Sequence, residues 1–414
     1  MSTNNITFRE MLASDRFYYG AEVVSGRGFV PSGSPNQLVE LSEQLLNDPR
    51  IGWISLCENP GGNPMLPPDW LGQNLPEAKD RMVLHFTCKD LNRNGLESAA
   101  WRYAALGLNN LLAMTGDYPR EGYGGAATPV FDLDSVSLIS MLNAMNRGLE
   151  VTGPRGKTET LAKTNFFIGC VASPFKRYER ELMPQYFKLL RKIASGAQFV
   201  TTQLGYDMRK FYEVKLCLDD NGLNIPVVGY VYLLNKVVAG MFNRSEIPGC
   251  TVSDELLNLA NKYANGTDKG RSFFHEFAAK QLAVLKGLGF AAAHIGGITK
   301  VETFDEIIDM AESFGVNDWR DFAREIQYPQ PDEFYLYEQD PETGLGIPQQ
   351  FNSEYLKSLE DPKRSKEITL FYRLSRRIHH AFFEPDRGCF NFMKRLYTRW
   401  DQKNGFMSSA LRVL

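Results

Sequence analysis

Short apolar strands alternate with amphipathic helices through residues 18 to 294 of this 414-residue chain. Turn residues separate the strands from the helical patterns that follow them. Eight strands are predicted, at residues 18–24, 51–57, 82–87, 111–115, 165–171, 198–204, 225–233 and 289–294. Eight β/α units in about 300 residues predict a single (β/α)8 TIM barrel.

A doubly wound sheet is the competing α/β fold, because it too alternates strands with helices. Its dinucleotide fingerprint needs three glycines directly after the first strand. Gly26 and Gly28 follow that strand here without the third glycine. The sequence therefore favours the barrel, which we assign to residues 1–300.

The alternation stops after the eighth strand, and we expect residues 301–414 to form a mainly helical C-terminal extension. One or two helices are predicted at 303–326, a polar surface loop or wrapping arm at 328–351, and two basic helices at 367–383 and 390–400. A solvated helical face is the simpler explanation of their basic residues. The alternative is a docking surface for an acidic partner, and the extension is also a candidate interface for a redox partner or a second copy of the chain.

Composition excludes several function classes. The net charge of −3 gives no basic excess for nucleic acid binding. The six cysteines include no CxxC pair, so we expect neither a metal site nor a disulfide framework, and a reducing cytoplasm fits best. The polar N-terminal residues and the lack of a long apolar run predict no signal peptide and no membrane association.

Candidate catalytic residues lie where predicted strands end, since those ends converge on one cavity in a barrel. Glu22 ends the first strand and Asp117 follows the fourth. Two carboxylates facing one cavity can take different roles if their surroundings separate their pKa values. An unpaired carboxylate in a strand is costly to bury, which favours a functional role for Glu22, whereas Asp117 is equally consistent with turn chemistry.

Five collinear segments carry a resemblance to a known family. They are HFTCKDLNRN, LLAMTGDYP, FFIGCVASP, LLRKIASGAQFVTTQLGYD and IPVVGYV. In this order and at these intervals, the chain resembles the flavin-dependent 5,10-methylenetetrahydrofolate reductases over roughly residues 15 to 300. That family has a (β/α)8 barrel with FAD at the carboxyl ends of the strands.

The resemblance implies roles for individual residues. Glu22 matches the general acid that assists opening of the folate ring, Asp117 the aspartate between flavin and pterin, and Gln203 a glutamine that binds the pterin. The segments that hold FAD contain His85, Thr87, Thr115, Gly116, Asp117, Ala172 and Lys192. By pattern alone, His85 is more typical of a core histidine, and Lys192 of a cation near a helix C-terminus.

Three positions depart from the family. A threonine after the second strand is Cys57 here, and an arginine after the eighth is aligned with Lys300, which we predict to bind substrate. A phenylalanine that packs against nicotinamide or folate is aligned with Lys236; the alternative is that the alignment slips by a few residues and that Tyr230 or Tyr232 supplies the ring. The loss of that ring makes NADH and NADPH doubtful electron donors.

The resemblance therefore implies an FAD-dependent enzyme that interconverts 5,10-methylenetetrahydrofolate and 5-methyltetrahydrofolate. Two alternatives remain. One is a barrel that binds flavin or folate without catalysis and works as an electron-transfer or scaffold subunit. The other is a pterin-dependent methyltransferase barrel, which needs no flavin.

Overall fold

The computed structural model describes residues 6–29, 36–153 and 156–360, together with residues 374, 377, 391, 392, 394 and 395. The chain divides into two compact units, residues 1–350 and residues 351–414. Among the described residues, no helix has the length and apolar character needed to cross a membrane.

Eight parallel strands close into a barrel, in which β1 pairs with both β2 and β8. The strands are β1 (Tyr18–Val23), β2 (Ile51–Leu56), β3 (Met82–Thr87), β4 (Asn110–Met114), β5 (Phe167–Ala172), β6 (Phe199–Thr202), β7 (Val227–Tyr232) and β8 (Ala292–Gly296). The predicted TIM barrel is confirmed, and each observed strand overlaps its predicted segment.

Helices surround the barrel and fill the connections. They are α1 (Phe8–Leu12), α2 (Gln37–Asn47), α3 (Asp69–Asn74), α4 (Arg93–Leu106), α5 (Ser135–Arg147), α6 (Glu179–Ala194), α7 (Met208–Asp220), α8 (Lys236–Asn243), α9 (Asp254–Ala264), α10 (Arg271–Gly287), α11 (Val301–Ser313) and α12 (Trp319–Glu325). Two short antiparallel hairpins follow β4 and α5: Glu121–Gly122 with Gly125–Ala126, and Glu150–Thr152 with Thr158–Thr160.

Local sequence fixes where the helices begin and end. The Asn92 side chain accepts a hydrogen bond from the backbone N–H of Gly95 and so caps the start of α4. Gly107 ends the same helix with a φ of +76°, a left-handed conformation that glycine adopts without strain. Helix α8 was not predicted, because its eight residues are too few to show a clear helical period.

Helix α1 closes the amino-terminal end of the barrel. The Phe8 ring lies 5.0 Å from that of Trp53 and 5.2 Å from that of Phe199, measured between ring centroids. Phe8 and Trp53 are each 1% exposed. These rings close the amino-terminal end of the barrel and form the floor of the space that opens at the carboxyl ends of the strands.

Residues 301–350 belong to the same compact unit as the barrel, so the structure divides the chain after Gln350 rather than at residue 300. The fully buried Lys210 of α7 lies 3.6 Å from a carboxylate oxygen of Glu333, and its ammonium also donates to the carbonyl of Phe334. Tyr337 donates to Asp220 at 2.7 Å. These contacts attach the segment that follows α12 to α7, which agrees with the wrapping arm, one of the two alternatives that the sequence left open.

In the second unit, the structure describes a helix at Ser353–Glu360. The predicted helices at 367–383 and 390–400 lie outside the described residues, apart from the six single positions given above.

Candidate functional site

A cavity of about 790 Å³ opens at the carboxyl ends of the barrel strands. Eight of the predicted site residues line its wall: Glu22, His85, Thr87, Thr115, Gly116, Asp117, Lys192 and Gln203. They come from loops and strand ends spread over residues 22 to 203 of the sequence. Closure of the barrel brings them together, as expected for strand ends in this fold.

Glu22 is the carboxylate enclosed in the wall at the end of β1. One of its carboxylate oxygens accepts hydrogen bonds from the Tyr230 hydroxyl at 2.7 Å and from the Cys57 thiol at 3.3 Å. The loss of hydration inside the barrel raises the pKa of Glu22, while these two donors and the backbone N–H of Gly297 act in the opposite direction. The carboxyl group can therefore hold its proton to higher pH than an exposed glutamate.

Glu58 is a second carboxylate on the wall, directly after Cys57. It accepts hydrogen bonds at 2.8 Å from both the backbone N–H and the hydroxyl of Thr87. The Lys89 ammonium donates to the carbonyl oxygen of Glu58 at 3.1 Å. Burial raises the pKa of Glu58, and the Thr87 hydrogen bonds and the Lys89 charge oppose that rise.

The turn after β4 presents Thr115, Gly116 and Asp117 to the cavity. Gly116 has a φ of +86°, and a Cβ atom there would lie 3.0 Å from Cβ of Thr87 and 3.1 Å from Cδ of Lys89. Any larger residue would therefore be strained and would press on the neighbouring turn. This packing fixes the backbone from which Asp117 projects.

The opposite wall carries Gln203, Lys176 and Lys192. The Lys192 ammonium donates to the Val171 carbonyl at 2.7 Å, and burial lowers the pKa of this lysine. A loop between α8 and α9 covers this wall, since a Cβ atom on Gly249 would lie 3.4 Å from the side-chain nitrogen of Gln203. Across the mouth, Arg120 donates to the carbonyl of Glu246 in that loop at 2.6 Å.

Three residues singled out in the sequence do not line the cavity: Ala172, Lys300 and Lys236. Ala172 is buried at the end of β5, where its carbonyl accepts the backbone N–H of Gln203 at 2.6 Å. Lys300 is exposed at the start of α11 and lines a separate surface groove with Arg271 and His275.

Lys236 is exposed at the first position of α8. Aromatic rings do reach the cavity, from Tyr230, Tyr232 and Phe242. The premise that a lysine replaces the cavity's aromatic ring is therefore wrong. Helix α8, which was not predicted, begins at this residue.

Two histidines lie deeper in the wall. Burial lowers the pKa of His85 to about 4 and that of His294 to about 3, so both are neutral at physiological pH. Within the described residues, neither ring nitrogen of His294 has a hydrogen-bond partner. His294 packs against Tyr230, with ring centroids 4.7 Å apart.

The sequence analysis assigned no role to Glu58 or His294, and it considered Tyr230 only as an alternative source of an aromatic ring. Tyr230 and His294 occupy strand positions whose side chains alternate into the barrel, which is the signal that could have selected them, whereas Glu58 lies beyond the end of β2. Among the described residues, no group of three or more histidine, cysteine or acidic side chains is arranged to hold a metal ion.

The fold and site define an α/β-barrel protein with a ligand cavity at the carboxyl ends of its strands and an enclosed carboxylate in that cavity. The profile of the methylenetetrahydrofolate reductase family matches residues 77–312, which is more than half of the chain. The chain belongs to the methylenetetrahydrofolate reductase family. No curated protein matches it.

Several solved structures are similar in outline. An uncharacterized protein from Clostridium thermocellum, described as binding two copies of 5-methyl-5,6,7,8-tetrahydrofolic acid, is 10% identical with a TM-score of 0.48, over 74% of this chain and 98% of its own. EDTA monooxygenase from Chelativorans is 10% identical with a TM-score of 0.43, over 77% and 100%. A xylanase from Cellvibrio japonicus is 10% identical with a TM-score of 0.40, over 73% and 100%. Likeness at this level adds nothing to the assignment of function.

Proposed function

We propose that this protein is an FAD-dependent reductase that interconverts 5,10-methylenetetrahydrofolate and 5-methyltetrahydrofolate by hydride transfer. The observation that carries the proposal is the placement of Glu22. Its enclosed carboxyl group has a raised pKa and faces a cavity large enough for a ring-shaped ligand. Such a group can give a proton to a ring nitrogen while the family's hydride acceptor forms.

The residues of the cavity fit flavin adenine dinucleotide. Lys89, Lys176 and Lys192 supply three amino groups to its wall, a donor set suited to a diphosphate. Lys192 uses one donor on the Val171 carbonyl, and Lys89 uses two, on the Glu58 carbonyl and the Thr87 hydroxyl, so each keeps part of the three donors of an ammonium. The bound flavin would supply the hydride chemistry, and the protein would orient and polarise it.

Other wall residues take supporting roles in this proposal. Asp117 would set the charge beside the flavin ring, and Gln203 would hydrogen-bond the pterin. The rings of Tyr230, Tyr232 and Phe242 give one side of the cavity an aromatic lining for a flat ligand. This lining leaves a nicotinamide nucleotide as a reasonable electron donor. The five described cysteines are buried and free, which supports a reducing compartment such as the cytoplasm.

The test begins with the absorbance spectrum of the purified protein, because bound flavin makes it yellow. Turnover of 5-methyltetrahydrofolate with an artificial electron acceptor then follows the reaction itself. Flavin with measurable folate turnover supports the proposal. Flavin without turnover favours an electron-transfer or scaffold subunit, and folate binding without flavin favours a pterin-dependent methyltransferase; either result refutes it.

A further inference from the structure

We infer that Tyr230 is a positioning residue for Glu22, and that Gly296 provides the space in which the two side chains meet. The inference rests on the proposed function only in one respect, that Glu22 gives its proton to the folate. The positioning itself is a property of the barrel wall and can be measured without any ligand.

The two residues meet across a third strand. Strand β8 lies between β1 and β7, with His294 in register with Gly20 on one side and Tyr230 on the other. Glu22 lies two residues beyond Gly20, beside Gly296. The Tyr230 hydroxyl reaches over β8 and donates to Glu22 at 2.7 Å.

Gly296 is required for this contact. A Cβ atom built on it would lie 2.5 Å from the Tyr230 hydroxyl oxygen and 2.6 Å from a carboxylate oxygen of Glu22. Both distances are far inside van der Waals contact, so any side chain at this position would separate the pair. A glycine on β8 thus lets side chains of β1 and β7 hydrogen-bond over it.

The Tyr230 ring is held on two sides. His294 packs against one side at 4.7 Å between ring centroids, and Tyr232 contacts it edge-on at 6.3 Å. The backbone N–H of Tyr230 donates to the Thr202 hydroxyl at 3.0 Å. Packing of this kind restricts the ring, so the hydroxyl is aimed at Glu22 before any ligand arrives.

The titratable groups that face Glu22 come from three elements: Cys57 after β2, Tyr230 and Tyr232 of β7, and Cys250 of the loop between α8 and α9. Burial raises the pKa of every one of them, to about 12 for Tyr232 and Cys250. All four are therefore neutral near pH 7. A neutral hydroxyl that donates to a carboxylate stabilises its charged form.

The experiment is a carbon-13 carboxyl NMR titration of the full-length protein, with the Glu22 signal assigned from its loss in Glu22→Gln. In Tyr230→Phe the pKa of Glu22 should rise by about one pH unit, because a hydrogen bond to the charged form is lost. The matched control is Tyr186→Phe. Its hydroxyl also donates to an enclosed carboxylate, Glu213, at 3.2 Å, but it lies outside the cavity. The control should leave the pKa of Glu22 unchanged.

An unchanged or lowered pKa of Glu22 in Tyr230→Phe would overturn the inference. Gly296→Ala gives a second measurement and should raise the same pKa by separating the pair. In the half-reaction that reduces 5,10-methylenetetrahydrofolate, Glu22 gives the proton. The alkaline limb of the rate against pH in Tyr230→Phe should therefore move to higher pH by the same amount as the pKa of Glu22 measured by NMR. If the wild type turns over no folate at any pH, the proposed function fails, and the NMR titration still decides the role of Tyr230.

Discussion

Replacing Glu22 by glutamine tests the proton transfer with little change of shape. The carboxylate oxygen that accepts from Tyr230 and Cys57 becomes an amide oxygen that can accept from both. The other oxygen becomes an NH₂ group, which donates hydrogen bonds and has no ionisable proton to give. The side chain therefore stays in place while its acid function is removed.

We expect Glu22→Gln to lose much of the rate of the folate half-reaction and little of its flavin binding and flavin reduction. A positioned general acid contributes about 10² to 10⁴ in rate, so the folate half-reaction of Glu22→Gln should slow by that factor. FAD content and reduction of the flavin by a non-folate donor should stay within a few-fold of the wild type. Stability should change by about 1 kcal/mol, the usual size of one exchanged hydrogen bond.

The pH dependence of stability has a definite sign. The pKa of Glu22 is raised in the folded state from its ordinary value of 4.5, so the folded state binds this proton more tightly than the unfolded state. Between pH 4.5 and the raised pKa, Glu22 lowers the stability of the wild type as pH increases. The glutamine variant lacks this loss. Its Tm relative to the wild type should therefore increase as the pH rises from about 4.5 toward the raised pKa of Glu22.

Stopped-flow absorbance separates the two half-reactions, and calorimetry at several pH values gives the Tm difference. A folate half-reaction within tenfold of the wild type would remove Glu22 from the proton transfer, since about 10² is the smallest contribution expected of a general acid. A Tm difference that stays constant with pH would show that folding does not raise the pKa of Glu22.

Three further predictions follow from other parts of the structure. Asp117→Asn should raise the flavin midpoint potential by about 30 mV, because the proposed site loses a negative charge beside the reduced flavin. This shift corresponds to about 1.4 kcal/mol for two electrons. An unchanged potential in spectroelectrochemistry would place Asp117 away from the flavin ring. Lys236→Ala should leave flavin reduction by NADH within about twofold, because this lysine is exposed outside the cavity, and a larger change in stopped-flow rates would restore it to the site. Phe8→Ala should lower the free energy of unfolding by about 3 to 5 kcal/mol through a cavity beneath the barrel, whereas Phe187→Ala, at a ring that is 66% exposed, should change it little in urea titrations. Equal effects of the two phenylalanine substitutions would contradict the role assigned to α1.

The sequence determined the architecture, because strand and helix periods are local properties of the chain. Each of the eight strands could be found from a few consecutive residues, and their number together with the alternating helices left few other folds. Glu22, Asp117 and Gln203 could also be predicted to converge, since they end or follow barrel strands. Helix α8 was not predicted, because its eight residues are too few to show a helical period, and the sequence could not choose between a loop and an arm for the segment that attaches to α7.

Only the tertiary structure decided which side chains of the site contact one another. The Tyr230 hydroxyl and the Glu22 carboxylate belong to residues 208 positions apart, and they meet because barrel closure places β8 between β1 and β7 with glycine at the crossing. No local pattern encodes such a register. The same reason explains why Lys300 and Lys236 were misplaced: both lie just beyond strand ends, where the direction of the chain depends on tertiary packing rather than on the period of the sequence.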